Sequence, residues 1–133
     1  MEVDLSGSDW LVQSDIPPDQ LPDILNLLNP HHRAEVKLNH RLQVNGTVPG
    51  YVLSDLHEAG VVSDPLAKDH DVRFRPLARL TWVYSKAVWL PGVVQGRGLV
   101  VFHGIDTAAD IVINKVHLFK SHYNQVCFTF TLF

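Results

Sequence analysis

The spacing of apolar positions changes character several times along the chain. Residues 9–13, Asp-Trp-Leu-Val-Gln, form a short apolar run that predicts a first strand. Beyond them Leu21, Ile24, Leu25 and Leu28 fall at i, i+3, i+4 and i+7, one apolar face of a short helix near 19–29. Asp19 or Asp23 suits its start, Pro22 fits only its first turn, and Pro30 reads as its stop. Leu42 and Val44 then alternate ahead of turn residues. Val52, Leu53, Leu56 and Ala59 share a face of a second helix near 51–59, and Gly60 suits the left-handed position that ends it. Pro65 biases Asp64 away from helix, which predicts a turn.

From residue 80 the period becomes two. Trp82, Tyr84, Lys86 and Val88 share one face of a strand, but Leu80, Val83 and Ala87 do not fit one alternation, so a bulge is expected. Residues 91–98 read as a loop, and Leu99–Gly104 reads as a strand buried on both sides. Residues 101–114 read as strand, tight turn, strand. Gly104 permits a close turn, Asp106 and Thr107 can bond back to the local backbone, and Asn114 suits a positive φ. In that second strand Ile111 and Ile113 oppose Val112. A last strand sets Cys127, Thr129 and Thr131 against Phe128, Phe130 and Leu132. These strands and turn signals predict a mainly β, antiparallel sandwich with two short connector helices. The chain of 133 residues reads as one domain, stopping inside an alternating strand and therefore an incomplete sandwich.

Composition narrows the function classes. With 46% hydrophobic and 19% charged residues the chain is globular, and 11 basic against 14 acidic residues give a net charge of −3. No basic stripe supports nucleic-acid binding. No segment is apolar enough to span a membrane, and the acidic opening lacks the form of a signal peptide, so a soluble chain without an export address of its own is expected. The single cysteine, Cys127, excludes an internal disulfide and a cysteine-rich zinc site, and reads as a small apolar filler. His31-His32 and Asp69-His70-Asp71 lack metal-site spacing and read as solvated loops. No cofactor is expected. Asn45-Gly46-Thr47 is a glycosylation sequon, with an asparagine passing from strand to turn as the simpler reading. Trp82, Tyr84 and Trp89 suit either a sugar-stacking platform or the core of a sandwich, and the core is the commoner use.

The order of these segments resembles the start of the β-mannosidases, members of the family-two glycoside hydrolases. Val48-Pro49-Gly50, a short helix, Gly60 and Asp64-Pro65 resemble that family's Val-Pro-Gly, helix, Gly, Asp-Pro segment. Residues 69–74 are similar to its Asn-Asp-Leu stretch, and Trp82, Tyr84 and Lys86 to its Trp-x-Tyr-x-(Lys/Arg) strand. Gly104, Asp106, Thr107 and Asn114 match its Gly-(Ile/Val)-Asp-Thr…Asn hairpin. The likeness runs over about 42–132 together with Leu5 to Val12. His122–Gln125 depart from an Asp-Asn-Met-Phe-like stretch, and 17–40 has no counterpart, so it reads as an atypical insertion.

The resemblance implies a galactose-binding-like jelly-roll domain that packs on a later (β/α)₈ barrel. It implies a parent that hydrolyses terminal non-reducing β-D-mannose in oligosaccharides and glycoproteins by a retaining mechanism. Its partners would be the remaining domains of that enzyme and, at the level of the parent, mannose-containing oligosaccharides. Its compartment would be the lysosome, with the cytoplasm open for a chain lacking a signal peptide. Retaining hydrolysis needs two carboxyl groups about 5 Å apart; the family places them on glutamates of the barrel, the acid/base after an asparagine. Here the glutamates are Glu2, Glu35 and Glu58, and none follows an asparagine. The expected role is therefore a non-catalytic domain. The alternatives are a free-standing lectin-like module and a non-functional truncated product.

Overall fold

The computed structural model describes residues 2–66, 70–89, 98–105, 108–121 and 128–132. They fall in two compact units, Met1–Trp89 and Leu90–Phe133.

In the first unit, alternation builds the sheet. Strand β1 (Gly7–Asp15) buries Val12 and Ser14, and Ile16 continues the row just past its end. Strand β2 (Arg41–Val48) buries Leu42, Val44 and Gly46 while Arg41, Gln43 and Asn45 face outward. β1 pairs antiparallel with β2, Val12 opposite Val44, and with a three-residue strand β3 (Val83–Ser85), Val12 opposite Tyr84. The sheet order is β2-β1-β3. The amide of Ile16 donates to His40 O at 2.8 Å, extending the closure beyond the ladder.

The segment between β1 and β2 holds two helices where the sequence predicts one. Helix α1 (Leu21–Leu27) has its proline in the first turn and buries Ile24. Leu28 leaves it in an extended conformation and bridges Val62, while the Asn29 amide donates to Val61 O at 2.8 Å. Asn29, before Pro30, is extended, but α1 has already ended at Leu27, ahead of the proline expected to stop it. Pro30 instead begins helix α2 (Pro30–Asn39), whose first position tolerates the missing N–H. Only Val36 of α2 is buried, and Leu38 is exposed, so α2 carries no apolar stripe for periodicity to detect. It ends on His40 at φ 52, whose amide donates to Val36 O at 2.8 Å.

Helix α3 (Val52–Glu58) follows β2. Gly60 takes φ 74 after it, a conformation that costs any side-chain-bearing residue about 1–2 kcal/mol. Two single helical turns, α4 (His70–Arg73) and α5 (Arg75–Ala78), occupy a stretch with no predicted helix. Phe74 and Leu77 from this region join Ile24, Leu28, Leu42 and Leu56 in the core. Each such side chain stabilises the fold by roughly 1.5–3 kcal/mol on burial. Trp82 and Tyr84 pack partly buried against the same core, whereas Val83 and Ser85 face outward. The bulge expected near residue 83 is not there. The β1–β2 register shifts instead between Gly7 and Trp10.

In the second unit, strand β4 (Gly98–Phe102) pairs antiparallel with β7 (Phe128–Leu132), and β5 (Ala109–Ile113) with β6 (Val116–Ser121). This corrects the expected hairpin over 101–114, because its two strands belong to different pairs. The turn expected at Gly104–Thr107 falls partly outside the described residues, whereas Asn114 takes the positive φ expected of it (φ 50) and with Lys115 (φ 67) closes the β5–β6 hairpin. Two positive φ values in a two-residue connection follow the right-handed twist of the flanking strands. Two further expectations are corrected. Gly98 lies in β4 opposite Leu132, not in a loop. β4 is not buried on both sides, since Val101 is 47% exposed. In β5, Ile111 is buried and Val112 exposed, the alternation expected.

Every strand pair among the described residues is antiparallel. No helix among them is long and apolar enough to cross a membrane.

Candidate functional site

The most developed polar arrangement centres on Asp55, which helix α3 carries into the core at 2% exposure. The helical face that bears Val52, Leu56 and Ala59 also passes through position 55, so the carboxylate is turned inward with the apolar residues. Asp55 Oδ1 accepts the backbone N–H of Thr47 at 3.0 Å, and Oδ2 accepts the Tyr84 hydroxyl at 2.8 Å. The bonds join α3 to β2 and β3. A buried charged acceptor is tolerated only with such partners. Gly46 makes the approach possible, because a Cβ there would lie 2.9 Å from Asp55 Oδ2 and would collide with the fully buried Val12. Burial first, then the bond to Asp55 and its negative charge, hold the Tyr84 phenol protonated well above its ordinary range.

Around this centre other polar side chains also serve the backbone. Trp82 Nε1 donates to Leu77 O at 2.9 Å, Trp10 Nε1 to Leu5 O at 2.7 Å, and Asn29 Nδ2 to Gly60 O at 2.6 Å. Lys86 Nζ binds Asp9 Oδ1 at 2.8 Å and sits 5.9 Å from the Trp10 ring centroid. The lysine's hydrogen bond holds the exposed Asp9 carboxyl below its ordinary range. Ser6 does the same for Asp4.

The residues expected from the sequence are distributed as follows. Asn45 lies exposed in the body of β2, which corrects its placement at a strand-to-turn junction. Pro49 and Gly50 form the exposed link from β2 to α3, where a Cβ on Gly50 would collide with Thr47 O. Asp64 Oδ1 accepts the Leu66 amide at 2.9 Å, making a local turn, and Pro65 beside it is buried. Tyr84 alone of the set joins the Asp55 arrangement, while Trp82 packs beside it on the core. Gly104 is exposed after β4. Asp106, Thr107 and Cys127 lie outside the described residues, as do the side chains of the Asp69-His70-Asp71 cluster. His31 and His32 contact each other with ring centroids 4.3 Å apart. Among the described residues no three His, Cys, Asp or Glu side chains gather as a metal site.

Sequence reasoning missed Asp55, although an acidic residue at a core position of a helix was a readable signal. The glutamates are all exposed, Glu35 on α2 and Glu58 on α3. A cleft of about 410 Å³ lies between α2 and β2, lined by His32, Glu35, Asn39, Arg41 and Gln43. It has no Trp, Tyr or Phe wall on which a sugar ring would stack, and no expected site residue lines it.

The architecture described is antiparallel β, and its buried carboxylate is committed to internal hydrogen bonds. The chain belongs to the glycosyl hydrolase 2 galactose-binding domain-like family, whose model matches residues 29–127. Among curated proteins it is similar to beta-mannosidase of Mus musculus, 34% identical over 85 residues, covering 62% of this chain and 10% of that protein. It is likewise similar to beta-mannosidase of Rattus norvegicus, at 33% over 85 residues with the same coverage. Probable beta-mannosidase of Caenorhabditis elegans is 29% identical over 77 residues, 57% of this chain and 9% of that one. The chain thus spans about a tenth of the length of these relatives. No solved structure matches it.

Proposed function

We propose that this chain is an N-terminal, non-catalytic jelly-roll domain of a β-mannosidase. The parent enzyme hydrolyses terminal non-reducing β-D-mannose in oligosaccharides and glycoproteins with retention of configuration, and resides in the lysosome. The observation that carries the reading is the family match over 29–127 joined to β-mannosidase relatives over 62% of the chain. The carboxyl chemistry supports it, since retention requires a facing pair about 5 Å apart and the buried carboxylate here is engaged by Thr47 and Tyr84. The domain's partners are the remaining domains of that enzyme, and the mannose-containing substrate is handled by the parent. Residues 17–40 are an atypical insertion, although the family match already begins at residue 29.

A chimera tests the reading. The chain replaces the matching segment of the mouse enzyme, and hydrolysis of an aryl β-mannoside is measured beside the chain alone. The chimera is expected to be active and the chain alone inert. A folded but inactive chimera, or turnover by the chain alone that is lost on mutating its own acidic residues, overturns the proposal.

A further inference from the structure

We propose that Asn45 is an N-glycosylation site, modified before strand β2 closes onto β1 and not after. The proposal rests on the lysosomal reading above, because that routing passes through the secretory pathway. Asn45-Gly46-Thr47 satisfies the acceptor pattern, with no proline at its centre. Asn45 is exposed and lies on the side of β2 that carries Arg41 and Gln43, opposite the side where Leu42, Val44 and Gly46 enter the core. β2 is at the edge of its sheet among the described residues, so a glycan there displaces no neighbouring strand and no buried group.

The folded geometry dictates the timing. Transfer forms a bond from the Asn45 side-chain nitrogen to C1 of an oligosaccharide carried on a lipid pyrophosphate. The C1–oxygen bond breaks, the lipid pyrophosphate leaves with the electron pair, and the amide gives up a proton. The acceptor triplet must be held in a turn by the transferase, free of its own sheet. In the fold it is extended, with Asn45 in register with Leu11. Its central residue, Gly46, is buried against Val12 and Asp55. Its Thr47 donates its amide to Asp55 and its hydroxyl to Ser8 Oγ at 3.2 Å. The strand pairing, the packing at Gly46 and both Thr47 hydrogen bonds must therefore open before the triplet can bend, and transfer to the finished fold tracks the small fraction of open chain.

The test has two arms. In the first, the chain is fused to an exogenous secretory leader and expressed in eukaryotic cells. It is expected to migrate one glycan heavier, to collapse on treatment with an amide-cleaving glycosidase, and to lose the glycan in Asn45→Gln and Thr47→Ala but not Thr47→Ser. No glycan on this chain, while a sequon added in a terminal tag is occupied, overturns the site. In the second, folded chain made in bacteria and a peptide of residues 41–50 are each given the transferase and lipid-linked oligosaccharide. The folded chain is expected to react at least about tenfold more slowly. Equal rates overturn the order of events. The leader supplies the routing, so a glycan on the leader fusion that is absent when the parent transcript is expressed counts against the lysosomal reading alone.

Discussion

Removing the bond between Tyr84 and Asp55 tests whether the buried carboxylate holds helix α3 on the sheet. Tyr84→Phe deletes one hydrogen bond to a charged acceptor at 2.8 Å and keeps the ring that packs on the core. Its expected cost is about 1.5–3 kcal/mol. Asp55→Ala removes both bonds, strands the Thr47 amide and the Tyr84 hydroxyl, and leaves a void at a site 2% exposed. Two such losses sum to roughly 3–6 kcal/mol, a large share of the ~5–15 kcal/mol that stabilises a domain. In the Asp55→Ala background Tyr84→Phe should cost almost nothing, giving a coupling of about 1.5–3 kcal/mol. Urea unfolding followed by tryptophan fluorescence measures this in the intact chain, since Trp10, Trp82 and Trp89 all lie in the first unit. Equal costs of Tyr84→Phe in the two backgrounds would refute the argument for the Tyr84–Asp55 bond and leave the Thr47 amide as the polar tie of α3.

Gly46→Ala should destabilise the same unit by about 1–3 kcal/mol through overpacking against Val12 and Asp55, read as a lower urea midpoint; an unchanged midpoint contradicts the close approach. Lys115→Gly should stabilise the β5–β6 hairpin by up to about 1 kcal/mol, because it relieves a lysine held at φ 67, and slower amide exchange at Ile111 and Ile113 would show it. Tyr84 should ionise only above its ordinary pKa of 10.0, so tyrosinate absorbance of the folded chain should lag that of the urea-unfolded chain. A raised pKa means that the fold favours the neutral phenol. Its contribution is complete below the unfolded value and declines as the pH climbs past it toward the folded value. Coincident titrations of folded and unfolded chain would exclude the bond.

The elements that the sequence alone determined are those where burial imposes a period. Leu42 and Val44 fixed the face of β2, Ile24 the face of α1, and Ile111 against Val112 the face of β5, because each period is local and each buried side chain is apolar. Gly60 and Asn114 were legible for a related reason: a positive φ favours glycine or asparagine, although His40 and Lys115 adopt it here without any such signal. Helix α2 was invisible because it buries only Val36, so nothing but Pro30 and backbone capping marks it. Pairing was beyond local signals. Residues 101–114 contain two good strands, yet β4 takes its partner from 128–132 and β5 from 116–121, a choice made by strands distant in sequence or beyond the nearer turn. The Asp55 centre shows the same division. The sequence placed an acidic residue on an apolar helical face, but only the tertiary structure supplied the Thr47 amide, the Tyr84 hydroxyl and the space at Gly46 that make its burial possible. Those partners arrive from β2 and β3, and long-range packing alone brings them within bonding distance.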